Sequence, residues 1–286
     1  MAVHALVSPG GSPGVTTTAL ALALAWPAPV VLAECDPACG DILAGLFAGH
    51  LTAPRGLLGV AFEAGRGPAA MAAELAGQLA PLDGSASRMF LAGLSDPRQA
   101  PGLSPAWPAV ARTLAGYPSD VLADCGRLDA GDGQPVAVLA EAAMVLMVLR
   151  PSLRQIARAR PRIEMITALP GGTGRLGLLL VGEGRYGARE VSTALGAPVV
   201  ATLPLDARTA AVLSDGDGRR TGLTGRPLLR AAATAAAAIR KAAPAPAADQ
   251  AGHLSRSSGG AGGAGGLPGW DVGAAGAGSV PARSMP

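Results

Sequence analysis

The stretch SPGGSPGVTTTALALALAWP, Ser8–Pro27, decides how the rest of the chain is read. Directly before it, AVHALV (residues 2–7) is a continuous apolar run of strand type. After it, the Ala/Leu run predicts a helix over Thr16–Leu24. A strand, a glycine-rich turn and a helix in that order form an anion cradle, because the unpaired N–H groups of the helix N-terminus converge where the turn leaves room. Gly10, Gly11 and Gly14 allow close backbone approach, and Thr16 and Thr17 are expected to cap the helix.

Outward from this stretch the same alternation continues. VVLAEC (30–35) precedes an expected helix in GDILAGLF (40–47), and DVLADC (120–125) precedes a loop. MVLMVL (144–149) leads to a helix after Pro151, LGLLLVG (176–182) to AREVSTALG (188–196), and PVVATLP (198–204) to ARTAAVLSDG (207–216). Short, continuously apolar strands separated by helices imply a mostly parallel sheet covered on both faces, hence a doubly wound α/β fold. A last, alanine-rich helix is predicted over Pro227–Lys241, and residues 52–117 show only weak helices among proline and glycine clusters. Residues 244–286 are Gly/Ala/Pro/Ser-rich and are expected to be a disordered tail, since they offer too little apolar surface to offset ordering entropy. The expected organisation is one domain over 1–243 followed by that tail.

Composition narrows the function classes. Of 286 residues 49% are hydrophobic and 3% aromatic, so the core must be built from Leu, Val, Ile and Ala. The net charge of +3 comes from interleaved charges and does not by itself argue for nucleic acid. Nearly all the positive charge is arginine: Lys241 is the single lysine, and the first arginine is Arg55. Three cysteines with no basic secretory leader point to a reducing, cytoplasmic setting and to small buried thiols, not to a disulfide framework or a zinc site. The longest apolar run, Ala19–Ala33, is interrupted by Pro27 and Pro29 and is too short to span a bilayer.

In an open parallel sheet, ligands bind beyond the carboxyl ends of the strands. Those positions hold the glycine turn, Glu34-Cys35-Asp36-Pro37, Asp124-Cys125-Gly126 and Arg150-Pro151-Ser152. At this level the chain resembles the ParA/MinD family of P-loop ATPases, which serve partitioning and cellular positioning. GGSPGVTTTALALALA resembles the deviant Walker A loop, VVLAECDPACGDI the switch I motif and DVLADCG Walker B. VLMVLRPSLRQIARA, LGLLLVGEG, GAPVVATLPLDARTAAVLSDG and GRPLLRAA resemble the later segments. The resemblance runs through residues 1–243 in order.

What the resemblance implies can be carried over residue by residue. Val15 falls at the P-loop lysine, Thr16 at the magnesium-binding threonine and Gly10 at the second, signature lysine, so both lysines are absent. Pro9 replaces the first loop glycine. Asp36 takes the position that orients attacking water, and Asp36 and Asp124, with Thr16, take the positions that hold magnesium. Glu34 replaces the first aspartate of its motif, and Gly182 stands where the family places a base-recognising asparagine. One lost charge pair at about 4 Å is worth roughly 4 kcal/mol at an effective dielectric of about 20, on the order of a thousandfold in affinity. The family implies ATP and magnesium, and the departures imply a degenerate site in which their binding is weak or absent and which is weakly active or non-hydrolysing.

Two other readings stay open. An active ATPase would need a substitute cation, for which Arg127 is one candidate. A DNA-associated module without nucleotide would use Arg154, Arg158 and Arg162, which with Arg150 recur every four residues, although a solvated helix face explains the same spacing and Pro161 would kink or restart the helix. Protein partners of a positioning system and a homodimer are implied by the resemblance. Membrane attachment is not expected, because the final helix carries little but alanine on its apolar face.

Overall fold

The computed structural model describes residues 1–11, 13–49, 55–131, 133–216 and 222–243. The expected tail from residue 244 lies outside the described residues.

Among the described residues eight strands form one sheet: β1 Val3–Ser8, β2 Val30–Glu34, β3 Ala80–Pro81, β4 Arg88–Leu91, β5 Asp120–Arg127, β6 Met144–Leu149, β7 Leu176–Val181 and β8 Val199–Leu203. Their order is β3-β4-β2-β5-β1-β6-β7-β8, parallel throughout except for the antiparallel β3–β4 edge, where Ala80 faces Phe90. The α-helices of the described residues are α1 Val15–Ala25, α2 Gly56–Phe62, α3 Pro68–Gln78, α4 Ala100–Leu103, α5 Trp107–Ala115, α6 Val136–Glu141, α7 Leu153–Thr167, α8 Ala188–Leu195, α9 Ala207–Asp215 and α10 Pro227–Ala242.

The sheet is buried on both faces because its central strands are mostly apolar on both sides, with His4, Ser8, Glu34, Asp120 and Asp124 as buried polar positions. Val3, Ala5, Val7, Val121, Ala123, Val145 and Met147 pack on one side with α3, α5 and α7. Leu6, Leu122, Leu146 and Val148 pack on the other side with α1, α9 and α10. The doubly wound α/β reading of the sequence therefore holds. The apolar face of α10, including Leu228, Leu229, Ala232, Ala236 and Ile239, is used up in this second layer. Among the described residues no helix is long and apolar enough to cross a membrane.

Three expectations are corrected. GDILAGLF is not a helix but a run of turns. Its backbone bonds change spacing at each step, Gly45 N–H to Asp41, Phe47 to Ile42, Ala48 to Gly45 and Gly49 to Leu43, because Gly45 is pressed against the backbone of Ser214 and the segment follows that contact. Helix α7 runs through Pro161 without interruption from Leu153 to Thr167, since the single N–H missing there is offset by the core contacts of Ile156, Ala159 and Ile166. The region 52–117 also contains β3 and β4, which extend the sheet at one edge.

Candidate functional site

The glycine turn leaves β1 between its neighbours β5 and β6 and enters α1 at the carboxyl end of the sheet. Gly14 has φ of +87°, a conformation that disfavours any side chain, and its carbonyl accepts the first helical bond from Thr18 N–H at 2.8 Å. No side chain caps α1. Thr16 and Thr17 instead lie within its first turn, which corrects the expectation that they cap it. Without a cap, the leading N–H groups of this eleven-residue helix are left to water or a ligand.

Beside the turn is a cavity of about 240 Å³ lined by Ser8, Gly11, Pro13, Gly14, Val15 and Thr16, with Thr17, Asp36, Asp41, Gly126 and Arg127 completing it. Thr16, Thr17 and Asp41 also line a second cavity, of about 510 Å³, that extends toward Leu213–Asp215 in α9. Val15 lines the first cavity yet is buried in the core cluster around Leu6, so an apolar side chain stands where the resemblance places a cation.

Three carboxylates gather at this end of the sheet, each in a different state. Asp124 is 1% exposed, accepts from the Thr16 side chain and from Gly126 N–H at 3.1 Å, and has its pKa pushed up to about 7, chiefly by burial. Asp36 lies so close over Gly126 that any side chain at 126 would overlap its carboxylate; it accepts from Ala38 N–H at 2.8 Å. Burial raises its pKa, and Asp41 adds to the rise while Arg127 opposes it. Glu34, 2% exposed, accepts from Ile42 N–H at 2.9 Å and Gly93 N–H at 3.0 Å. Burial raises its pKa too. Those two bonds staple the 40–42 segment and residue 93 to the end of β2, so Glu34 acts as a buried fastener for the cavity wall.

The chemistry of Thr16, Asp36 and Asp124 fits a magnesium ion. Mg²⁺ takes oxygen donors, keeps most of its waters and needs only one or two carboxylates beside substrate phosphates. Asp124, uncompensated by any cation and hydrogen-bonded to the Thr16 hydroxyl, has such a need for positive charge. Among the described residues no group of three His, Cys, Asp or Glu side chains could cage a metal, and Cys35, Cys39 and Cys125 form no disulfide.

The arginines divide. Arg127, on the cavity wall, is ion-paired to Asp129. Arg162 is drawn to the same Asp129 at 3.2 Å and donates to Leu128 O at 3.1 Å. The expected stripe is therefore shorter than its spacing suggests: Arg154 and Arg158 face outward, while Arg162 is engaged in a contact that sequence spacing cannot reveal. Asp41 and the position of Arg158 beside the glycine turn were missed by the sequence reading. Asp41 sits in a segment expected to be helical, and Arg158 carried only a helix-face signal.

The sequence matches no protein-family model and no curated protein sequence. The structure does have clear neighbours. A ParA family ATPase from Chlorobium tepidum TLS superposes with a TM-score of 0.65 at 16% identity, covering 82% of this chain and 97% of that one. MinD from Aquifex aeolicus in its MinC:MinD cell division complex gives 0.66 at 16% identity, covering 84% and 96%. The septum site-determining protein MinD of Pyrococcus horikoshii OT3, complexed with Mg-ADP, gives 0.60 at 17% identity, covering 84% and 96%. The chain has the P-loop α/β fold of ParA and MinD ATPases.

Proposed function

We propose that this chain is a partitioning or positioning protein of ParA/MinD type whose nucleotide site has lost its lysines, binds Mg-nucleotide weakly, does not turn it over, and acts through protein partners. The observation that supports this most is the cavity at the glycine turn. Gly11, Gly14, Thr16 and Asp36 line it, buried Asp124 accepts from the Thr16 side chain behind it, and Val15 lines it where the resemblance puts the lysine. The neighbours include a Mg-ADP complex and a MinC:MinD complex, which supports reading the cavity as a nucleotide pocket and the surface as partner-binding.

The shell can hold a polyphosphate by backbone N–H groups at the start of α1, with Thr16 and Asp124 placed for magnesium. When bound, magnesium would supply positive charge at the Asp124–Thr16 pair. Asp36 is the residue placed to accept a proton from water, but with no lysine to balance charge developing on the phosphates, transition-state stabilisation is the missing component.

The test is calorimetric titration of the full chain with ATP and magnesium beside Val15→Lys. The natural chain binds in the submillimolar to millimolar range and releases no phosphate, and Val15→Lys tightens binding by on the order of a hundredfold or more. Absence of binding by both proteins would overturn the nucleotide reading. Magnesium-dependent phosphate release by the natural chain, abolished in Asp36→Ala, would replace the weak-site reading with an active ATPase.

A further inference from the structure

Arg154 and Arg158 are both exposed on α7, because Gln155, Ile156 and Ala159 take the core-facing positions. Their surroundings differ. A Cβ placed on Gly10 would come within 3.0 Å of both Cδ and Nη1 of Arg158. The arginine side chain thus lies directly against the glycine turn, in the space that any side chain at position 10 would need. Gly11, the next residue, lines the cavity, whereas nothing lies within 4 Å of a Cβ placed on it. The glycine at position 10 is therefore matched to a neighbour and is not a bare vacancy in the turn.

Arg158 is also free to act. Its backbone carbonyl accepts from Arg162, but among the described residues its guanidinium has no hydrogen bond or ion pair. Arg127, the arginine that lines the cavity, is held by Asp129, and Asp129 also holds Arg162 one turn further along α7. The same carboxylate therefore ties α7 to the loop after β5 and fixes the helix that carries Arg158 beside the turn. Guanidinium is always charged and presents a planar fork that suits phosphate oxygens, which makes it a better free cation here than an ammonium of equal reach.

We infer that Arg158 is the phosphate-holding cation of this site, supplying from α7 the positive charge that turn positions 10 and 15 lack, for the polyphosphate chain of a nucleoside di- or triphosphate. This rests on the nucleotide reading above. The charge has moved from the turn to a neighbouring helix, and Gly10 is the residue that makes room for it. A consequence is reciprocity between the two positions: a lysine at 10 has to push the Arg158 side chain aside, and meets no such neighbour once that side chain is cut back.

The experiment is calorimetry on the full chain with three probes in the presence of magnesium: ATP, inorganic tripolyphosphate and adenosine. Arg158→Ala weakens ATP and tripolyphosphate about tenfold or more and leaves adenosine unchanged, as expected for loss of one charge-assisted contact. Arg154→Ala, on the same exposed face, leaves all three unchanged. Gly10→Lys combined with Arg158→Ala regains the tripolyphosphate affinity that Arg158→Ala loses. Equal binding by the natural chain and Arg158→Ala would overturn the role of Arg158 while leaving the nucleotide reading intact. Equal weakening by Arg154→Ala and Arg158→Ala would overturn it in favour of diffuse charge. No binding of ATP or tripolyphosphate by the natural chain, Val15→Lys or the double variant would overturn both readings.

Discussion

The two ends of the sheet handle buried charge in opposite ways. At the amino end of β1 and β5, Asp120 accepts from Trp26 Nε1 at 3.0 Å, Arg240 Nε at 3.1 Å and Ala2 N–H at 3.1 Å. One carboxylate there joins the N-terminal strand, the end of α1 and the end of α10, with the His4 ring tilted against Trp26 at 5.3 Å between ring centroids. At the carboxyl end, Asp124, Asp36 and Glu34 gather with backbone N–H groups and one hydroxyl for partners, and the only arginine on the cavity wall is already paired. At the first end the buried carboxylate has its partners, although the Nδ1 of His4 beside it is buried without one. At the second, burial raises the pKa of all three carboxylates, so added positive charge would be accommodated there.

The sharpest way to break that comparison is at Asp120. Asp120→Ala leaves Trp26 Nε1 buried without an acceptor and Arg240 without its partner, and should lower unfolding free energy by about 4 kcal/mol in urea denaturation. A loss below about 1 kcal/mol would mean that the amino end is not a fastener.

Next in size is the pH response of the carboxyl end. Unfolded Asp124 releases its proton near pH 3.8, but native Asp124 holds it to about 7 because burial disfavours the carboxylate. The native state thus binds a proton that the unfolded chain lacks across this window, and stability falls as pH rises through it. Asp124→Asn should remove that slope, gaining about 3 kcal/mol relative to the natural chain between about pH 5 and pH 8. An unchanged slope would show that Asp124 is already compensated.

The smallest effect comes from His4, with the opposite sign. Burial lowers its pKa from 6.5 to about 4, so the unfolded chain takes up a proton that the native chain refuses, and stability falls as pH drops through that interval. His4→Phe should flatten the acid side by about 2 kcal/mol between about pH 6.5 and pH 5. The two ends then show opposite pH slopes, each removable by one substitution.

How much of this was legible in the sequence depends on the range of the interaction concerned. The six strands read from the sequence were legible because burial makes most of them almost continuously apolar, as in MVLMVL and LGLLLV. β3 and β4 were not, because two and four residues at a sheet edge carry no periodicity. The glycine turn, Asp36 and Asp124 were readable as strand-end residues. The role of Glu34 as a staple depends on Ile42 and on Gly93, the latter fifty-nine residues away, and no local pattern encodes that. Arg158 showed the same limit: its spacing spoke only of a helix face, while its contact with Gly10 crosses nearly the whole first half of the chain. The fall of Arg162 from the stripe has the same origin, since its partner Asp129 lies thirty-three residues earlier.

The central claim is that a lysine-free glycine turn still holds a polyphosphate by its backbone, and an amide-resolved NMR titration with ATP and magnesium addresses it most directly. The account predicts saturating shifts of the Gly11, Gly14, Thr16 and Thr17 amides, at the turn and the start of α1. Those four amides unmoved at millimolar ATP, with shifts elsewhere or none at all, would contradict it.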